Sequence, residues 1–549
     1  MNCDRQSAFS EPNPAVDFPA LEKIVCEHEV QIVKETKPQS VLLSNGQSVS
    51  AVPRERKNRF TVDVLKLTSG TVVAQIISVC AAPLIARLFA PQAFGIAALF
   101  TSISGVLAIV VCLRYDRSII VPASDEEAFN LVGVSLLCVV LITALSVMIV
   151  TLGRPLLLER LNAPGLGPYL WMVPVNVFLL GLLAALNSWH TRKRNFSLVT
   201  IAQVLSAVSY LFFAIAAGVT RHASGGALIV GAIIGQVIAA LLLAVETWRE
   251  CWPGLIRRIN TRQLTEVLYR YHKFPKYSTG AAVLNSLSWE MPSFFLSGFF
   301  STMVVGQYAL GNRLIRIPMS LIGLNISRVF SQRAAAARHE GTLGSLVERT
   351  FESLVTLGML PFLLLTLVGK ELFVLVFGAR WAEAGVYTEI LSLWAFFWFA
   401  SAPLGSVLDV LEEQALDLRI NALILGTRFI SLLVGGYSGS PRLTLAFFSA
   451  SGVLVYGYYC LAILGKCGLP YSRPLRILLK HAVTFLPYCA IVLAAKLFGA
   501  PPLTVLLLST ILFFVYYLGV IHTTPELREL ITVLVLNRFQ QPASETPND

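Results

Sequence analysis

Long apolar stretches separated by short polar connectors make up most of the chain after residue 60. Fourteen of them are about 20 residues long, the length at which an α-helix crosses roughly 30 Å of hydrocarbon. The stretches are continuously apolar rather than alternating, which excludes a transmembrane β-barrel. The pattern predicts an all-α polytopic membrane protein with spans near 63–88, 93–113, 128–152, 168–189, 197–219, 225–247, 277–300, 304–327, 350–369, 386–408, 418–435, 443–465, 478–497 and 502–522.

The connectors alternate between basic and nearly neutral along the whole chain. By count, one side carries about 27 Lys and Arg residues and the other about 8. The basic side includes 54–59, 190–194, 248–276 and 328–349. Because basic connectors stay in the cytoplasm, the alternation predicts that both termini are cytoplasmic.

Three segments fall outside the spans. Residues 1–59 are polar and contain neither an apolar run nor a signal peptide, so we expect a disordered cytoplasmic tail. Residues 523–549 form a second cytoplasmic tail. Residues 249–276 mix basic and apolar positions at helical spacing, which predicts an amphipathic linker helix at the membrane surface.

A short connector occurs twice. FAPQAFGIAAL (89–99) and FSTMVVGQYAL (300–310) share the frame F-x5-G-x2-A-L. We interpret the repeat as two parallel six-helix lobes, 60–248 and 277–466, followed by two extra spans in 467–522. Parallel lobes suit alternating access, in which a central cavity opens to one side of the membrane at a time.

Glycine and proline recur at matching places in spans 1 and 7. Pro83 follows Gly70 by 13 residues, and Pro292 follows Gly280 by 12. These residues could let the two helices bend during transport, or they could reflect only the higher frequency of glycine and proline in membrane helices.

The composition agrees with a membrane protein. The chain is 55% hydrophobic and 14% charged, with a mean hydropathy of +0.69. We attribute the net charge of +11 to cytoplasmic connectors rather than to nucleic-acid binding. The nine cysteines and seven histidines show no metal-binding spacing. No phosphate-binding loop of the Walker A type is present, and the predicted outer loops are too short for an active-site domain, so we expect neither an ATPase nor another enzyme.

Few charged residues lie inside the spans, where they are costly and usually functional. Arg313 and Arg316 share a helix face, about 10 Å and 15 Å below Gly306 at 1.5 Å per residue. Glu290 lies about 15 Å below Phe300, level with Arg316, so the two could pair.

The arginines admit two interpretations. With Arg428 in span 11, Arg313 and Arg316 could bind an anionic phosphate group, with Glu290 as the counter-charge and coupling residue. Alternatively, Glu290 and Arg316 form a structural ion pair. The repeat places Ser102 and Gly105 where the second lobe has Arg313 and Arg316. Charged residues deep in the membrane are therefore expected in the second lobe only.

Charges at the ends of spans 1 and 2 could form gates. Arg87 could line the outer exit, or it could extend to the lipid headgroups. Arg114, Asp116 and Arg117 could receive a substrate headgroup at the inner end of span 2. The alternative for these three is ordinary positive-inside anchoring with local ion pairs.

Several segments together resemble a known family, the oligosaccharide-lipid flippases of the multidrug/oligosaccharidyl-lipid/polysaccharide (MOP) exporter superfamily. The resemblance covers about 60–466 and rests on IARLFAPQAFGIAALF (85–100), RYDRSIIVPASDEEAFNLV (114–132), WHTRKRNF (189–196), VGQYALGNRLIRIPMSLIGLNISRVF (305–330), FGARWAEAGVYTEILSLW (377–394) and ASAPLGSVLDVLEEQ (400–414).

The resemblance implies a substrate and a location. The substrate would be a polyprenyl-diphosphate-linked glycan, an O-antigen (lipopolysaccharide), capsule or exopolysaccharide unit, moved across the bacterial inner membrane. Membrane lipids, a polysaccharide polymerase and glycosyltransferases would be its partners. No bound cofactor is implied, and coupling to H⁺ or Na⁺ stays open.

Two related functions remain as alternatives. One is a drug antiporter of the same superfamily. The other is a lipid II flippase, a sister family with an Arg-Asp pair in the first span. This chain has VCAAP (79–83) at the corresponding place, which favours the other polysaccharide pathways.

Overall fold

The computed structural model describes residues 73–258 and 261–523. The predicted N-terminal tail, Gly70 and nearly all of the predicted C-terminal tail lie outside these residues. The described part of the chain is helical and contains no β-strand. Its α-helices are α1 Val73–Leu88, α2 Pro91–Val110, α3 Tyr115–Ser118, α4 Asp125–Arg160, α5 Val173–Arg192, α6 Phe196–Val219, α7 Gly225–Arg258, α8 Thr261–Arg270, α9 Thr279–Phe299, α10 Thr302–Pro318, α11 Leu324–His339, α12 Leu343–Phe377, α13 Ala382–Ser401, α14 Ser406–Val410, α15 Gln414–Tyr437, α16 Pro441–Lys466, α17 Ser472–Leu497 and α18 Pro502–Thr523.

These helices confirm the predicted fold class, an all-α polytopic membrane protein. Each of the fourteen predicted spans coincides with a helix. Within the described residues, eleven helices are long and apolar enough to cross a membrane. The other three predicted spans are α1, described only from Val73, and the more polar pair α9 and α10.

The two repeated connectors meet each other. Helix α2 begins at Pro91 and α10 begins at Thr302, directly after the two connector turns. A Cβ atom added to Gly95 would lie 1.7 Å from the carbonyl oxygen of Thr302, and one added to Gly306 would lie 1.9 Å from that of Pro91. Only glycine allows backbones to approach this closely. The matching glycines of the repeat thus lie against each other, at what we call the connector end of the bundle.

The predicted linker differs from a single surface helix. Helix α7 continues to Arg258, so the first part of the linker extends the sixth span. Val267 of α8 and Tyr271, which directly follows α8, are buried in a cluster with Leu131 and Val134 of α4. These two residues therefore pack on protein.

Irregular turns interrupt the helices at two places, one of which lies next to Gly280, a residue predicted to allow bending. Five-residue π-helical turns occupy Phe274–Ser278, before α9, and Met319–Gly323, after α10. Each lies at a proline, Pro275 or Pro318, which cannot donate a backbone hydrogen bond. Helix α9 itself runs unbroken past the buried Pro292.

The last two membrane helices pack on α12. Pro361 lies inside α12 and lacks the N–H that would pair with the carbonyl of Leu357. The hydroxyl of Tyr517 in α18 donates to that carbonyl instead. Lys496 of α17 donates to the carbonyl of Leu367, 2.6 Å away, and so ties α17 to the same helix.

Candidate functional site

Two arginines flank one tryptophan between the membrane helices of the second lobe. The guanidinium carbon of Arg316 in α10 lies 4.7 Å from the ring centroid of Trp289 in α9. The guanidinium carbon of Arg428 in α15 lies 4.5 Å from the same ring. Cation–π attraction is stronger away from water, so Trp289 stabilises both positive charges.

Arg428 is buried, with 3% of its surface exposed. Its guanidinium donates to the hydroxyl of Ser288 at 2.8 Å and to that of Tyr456 at 3.0 Å. The rings of Trp394 and Phe448 lie 5.8 Å and 5.7 Å from its guanidinium carbon. Its donors are therefore largely engaged within the protein.

Arg313 and Arg316 are exposed, in contrast to Arg428. Arg313 donates to the carbonyl of Ser78 in α1, 3.3 Å away, so it extends from the second lobe to the first. No hydrogen bond holds the guanidinium of Arg316 within the described part of the chain. Its planar array of donors can therefore bind phosphate oxygens in pairs.

Glu290 does not pair with Arg316. Its Oε2 accepts a hydrogen bond from the hydroxyl of Ser102 in α2, 2.6 Å away. Glu290 follows Trp289 directly, and consecutive side chains of an α-helix point about 100° apart. Trp289 therefore contacts the arginines while Glu290 contacts the first lobe. The ion-pair interpretation of Glu290 and Arg316 is wrong.

The site carries an excess of positive charge. Arg313, Arg316 and Arg428 face one acid, Glu290, whose hydrogen-bond partner is a serine. Within residues 73–258 and 261–523, no carboxylate forms an ion pair with any of the three arginines. All four charged residues belong to helices α9, α10 and α15 of the second lobe.

Arg87 of the first lobe forms hydrogen bonds with the second lobe. It donates to the carbonyls of Leu375 and Val376 at the C-terminal end of α12, at 2.9 Å and 3.2 Å. Cations stabilise this end of a helix, where carbonyl groups lack partners. Whether Arg87 lines the outer exit or extends to the lipid headgroups stays a prediction.

More hydrogen bonds join the lobes at the connector end. Arg380 donates to the carbonyl of Arg87, and the indole of Trp381 donates to that of Ala86 at 2.8 Å. Asn162, after α4, donates to the carbonyl of Phe300 at 2.9 Å. With the Gly95–Gly306 contact, these bonds hold the lobes together at this end.

The predicted inner gate lies around α3. Burial lowers the pKa of Arg114 and raises that of Asp116, although their mutual attraction opposes both shifts. Arg117 is exposed. Nearby, Arg192 pairs with Asp125 at 3.1 Å and so fixes the loop before α4. The role of Arg114, Asp116 and Arg117 as a gate stays a prediction.

Four important residues were missed in the sequence: Trp289, Ser102, Ser288 and Tyr456. Two of them had a signal. The repeat aligned Ser102 with Arg313, and Trp289 stands next to Glu290, an acid inside a membrane helix, where such residues usually face an internal partner. Among the described residues, no group of three or more His, Cys, Asp or Glu could hold a metal ion.

Comparisons with known proteins agree with this architecture. A family of polysaccharide biosynthesis proteins matches residues 84–385, more than half of the chain. No curated protein matches the sequence. The structure of lipid II flippase MurJ in an inward closed conformation is similar at a TM-score of 0.65 and 12% identity, covering 85% of this chain and 99% of that chain.

A second solved structure is similar over less of the chain. It is the inward-facing conformation of a multidrug resistance MATE family transporter of the MOP superfamily, with a TM-score of 0.55 and 13% identity. The match covers 74% of this chain and 98% of that chain. At these identities both likenesses show the fold alone.

Proposed function

The chain belongs to the family of polysaccharide biosynthesis proteins, and from this premise we propose that it is a flippase for a polyprenyl-diphosphate-linked oligosaccharide. An O-antigen, capsule or exopolysaccharide unit would be moved across the bacterial inner membrane. The fold is that of the MOP transporters, which supports a transport function rather than an enzymatic one.

The net positive charge among the membrane helices carries this proposal. A charge inside a membrane is costly unless a partner neutralises it. Three arginines with one nearby acid leave two charges to be balanced, and a diphosphate supplies an anion of suitable size and charge. A cavity for cationic drugs would need residues with a net negative charge. The exposed Arg313 and Arg316 bind the phosphates, while Arg428 holds Trp289 against Arg316.

The transport cycle rocks the two lobes about their interface. The contact between Gly95 and Gly306 and the bonds around Arg87 close the connector end. By the predicted orientation this end faces away from the cytoplasm, so the site receives its substrate from the cytoplasmic side. Breaking these contacts releases the substrate on the other side.

Glu290 couples the cycle to an ion. Its hydrogen bond to Ser102 crosses between the lobes. Protonation of the carboxylate, or its binding of Na⁺, changes both this bond and the charge next to the arginines. Substrate release and lobe separation thereby depend on the same residue.

Reconstitution in liposomes tests the proposal. A fluorescent polyprenyl-diphosphate oligosaccharide is incorporated, and its movement between leaflets is followed with an impermeant quencher. We expect Arg316→Ala to slow movement at least about tenfold, because a charged hydrogen bond is worth roughly 1.5–3 kcal/mol. Arg333→Ala, which removes an exposed arginine of α11, is the matched control and should behave as wild type.

Two results would overturn the proposal. One is the absence of any lipid movement by the wild-type protein together with efflux of cationic dyes. The other is unchanged movement in Arg316→Ala at normal protein levels. For coupling, Glu290→Gln keeps a hydrogen-bond acceptor for Ser102 but cannot ionise, so its transport should lose its dependence on the ion gradient.

A further inference from the structure

A cavity of about 450 Å³ lies between α2, α6 and α7 of the first lobe and α10 of the second. This volume lies within the usual range for small-molecule sites, about 300–1,000 Å³. Most of its wall is apolar. Among the described residues that line it, Arg313 is the one charged side chain. The cavity therefore adjoins the cationic site but has a different chemical character.

The polar groups of the cavity are neutral. Thr101, Gln203, Ser206 and Gln236 supply hydroxyl and amide groups, which can both donate and accept hydrogen bonds. The side-chain oxygen of Gln236 is buried and has no hydrogen-bond partner within the described part of the chain. A buried acceptor without a donor is unfavourable, so a ligand hydroxyl that donates to it would bind well.

The apolar wall includes three aromatic rings, those of Phe94, Phe100 and Tyr210. Aromatic rings contact the C–H faces of a sugar, while amides and hydroxyls pair with its hydroxyl groups. A cationic drug would need a carboxylate in this wall, and a second phosphate would need more than one cation. The lining contains neither, and it suits an uncharged polyhydroxylated ligand.

We propose that this cavity is the glycan subsite of the transporter. The inference rests on the proposed function and deepens it: Arg313 binds the diphosphate at the cavity wall, and the first sugars, which are linked directly to that diphosphate, occupy the cavity. Specificity for the sugar then resides in the first lobe, whereas affinity for the phosphate resides in the second.

A binding experiment separates the two parts of the substrate. Affinities of the purified full-length protein are measured by native mass spectrometry for two probes. One is bare undecaprenyl diphosphate, and the other is the lipid-linked oligosaccharide extracted from cells that lack this flippase. We expect the wild-type protein to prefer the glycan-bearing lipid by about tenfold, the effect of one or two hydrogen bonds with buried partners.

Two variants test the cavity. Ala232→Phe fills it, and Gln236→Leu removes the unpaired amide at similar volume, so that one variant remains if the other does not fold. Each should lose most of the preference for the glycan and bind bare undecaprenyl diphosphate within about twofold of wild type. Leu241→Phe, at an exposed position of the same helix, is the matched control and should keep the preference.

The outcomes distinguish this subsite from the proposed function. Equal binding of both probes by the wild-type protein would overturn the subsite alone. The subsite alone would also be overturned if Ala232→Phe and Gln236→Leu weakened the binding of both probes equally. The same holds if both variants kept the full preference for the glycan-bearing lipid. Binding of neither probe by the wild-type protein would overturn the proposed function and the subsite with it.

Discussion

Replacing Gly95 by alanine is expected to open the connector end of the protein. The new Cβ would lie 1.7 Å from the carbonyl oxygen of Thr302. Even a close carbon–oxygen contact is about 3.3 Å, so α2 and α10 must separate by roughly 1.6 Å at this point. The obstacle is a backbone oxygen, which cannot rotate away as the end of a side chain can.

The size of the effect follows from the cost of overpacking. Inserting one carbon into a closely packed contact costs about 1–3 kcal/mol. A cost in this range lowers the population of the closed connector end by roughly 5–150-fold. Replacing glycine by alanine inside a helix also stabilises the helix itself by about 0.5–1 kcal/mol. A control substitution is therefore needed at a helical glycine whose added Cβ meets no other atom. Gly105, on the same helix, has no atom within 4 Å of its added Cβ.

Distances between spin labels measure this opening. One label is placed at Arg221 in the first lobe and one at Ser438 in the second, both exposed at the connector end, in a cysteine-free background. Gly95→Ala should shift the distribution to longer distances, and Gly105→Ala should leave it unchanged. Identical distributions for the two variants would refute the reasoning.

Three further predictions concern stability and transport. Tyr517→Phe removes the partner of the Leu357 carbonyl and should lower the free energy of unfolding by about 1–3 kcal/mol, measured by thermal unfolding in detergent with the exposed Tyr458→Phe as control. Burial raises the pKa of Asp116 above its usual 3.8, so the folded state holds this proton more tightly than the unfolded state does. The free energy of unfolding should therefore fall as pH rises through the raised pKa. Asp116→Asn should remove this part of the pH dependence of unfolding. Arg428→Lys keeps the charge but loses the planar contact with Trp289, and lipid movement in liposomes should fall at least about fivefold.

The helices were predictable because hydropathy and length determine which segments can cross a membrane. Helices α9 and α10 are more polar, and the repeated connector identified them. The contact between Gly95 and Gly306 was not predicted, although the repeat had aligned these residues. Sequence similarity shows that two turns are alike, but it does not show that they touch.

The site was predicted in part. Depth along a helix follows from residue number, and Arg316 does contact Trp289, the residue next to Glu290. Direction around the helix relative to its neighbours depends on how the lobes pack, and one sequence does not contain that information. Glu290 therefore contacts Ser102 instead, and Trp289, one residue earlier, contacts the arginines.

The contact between Gly95 and Gly306 also bears on the leakage of water and small ions across the membrane. A passage wide enough for a bulky cargo would let through water and small ions in large numbers if it stayed open. Where the two helix backbones touch, no water molecule fits between them. In the proposed transport cycle, the same pair of glycines therefore limits leakage, and the membrane keeps its ion gradients between transport events.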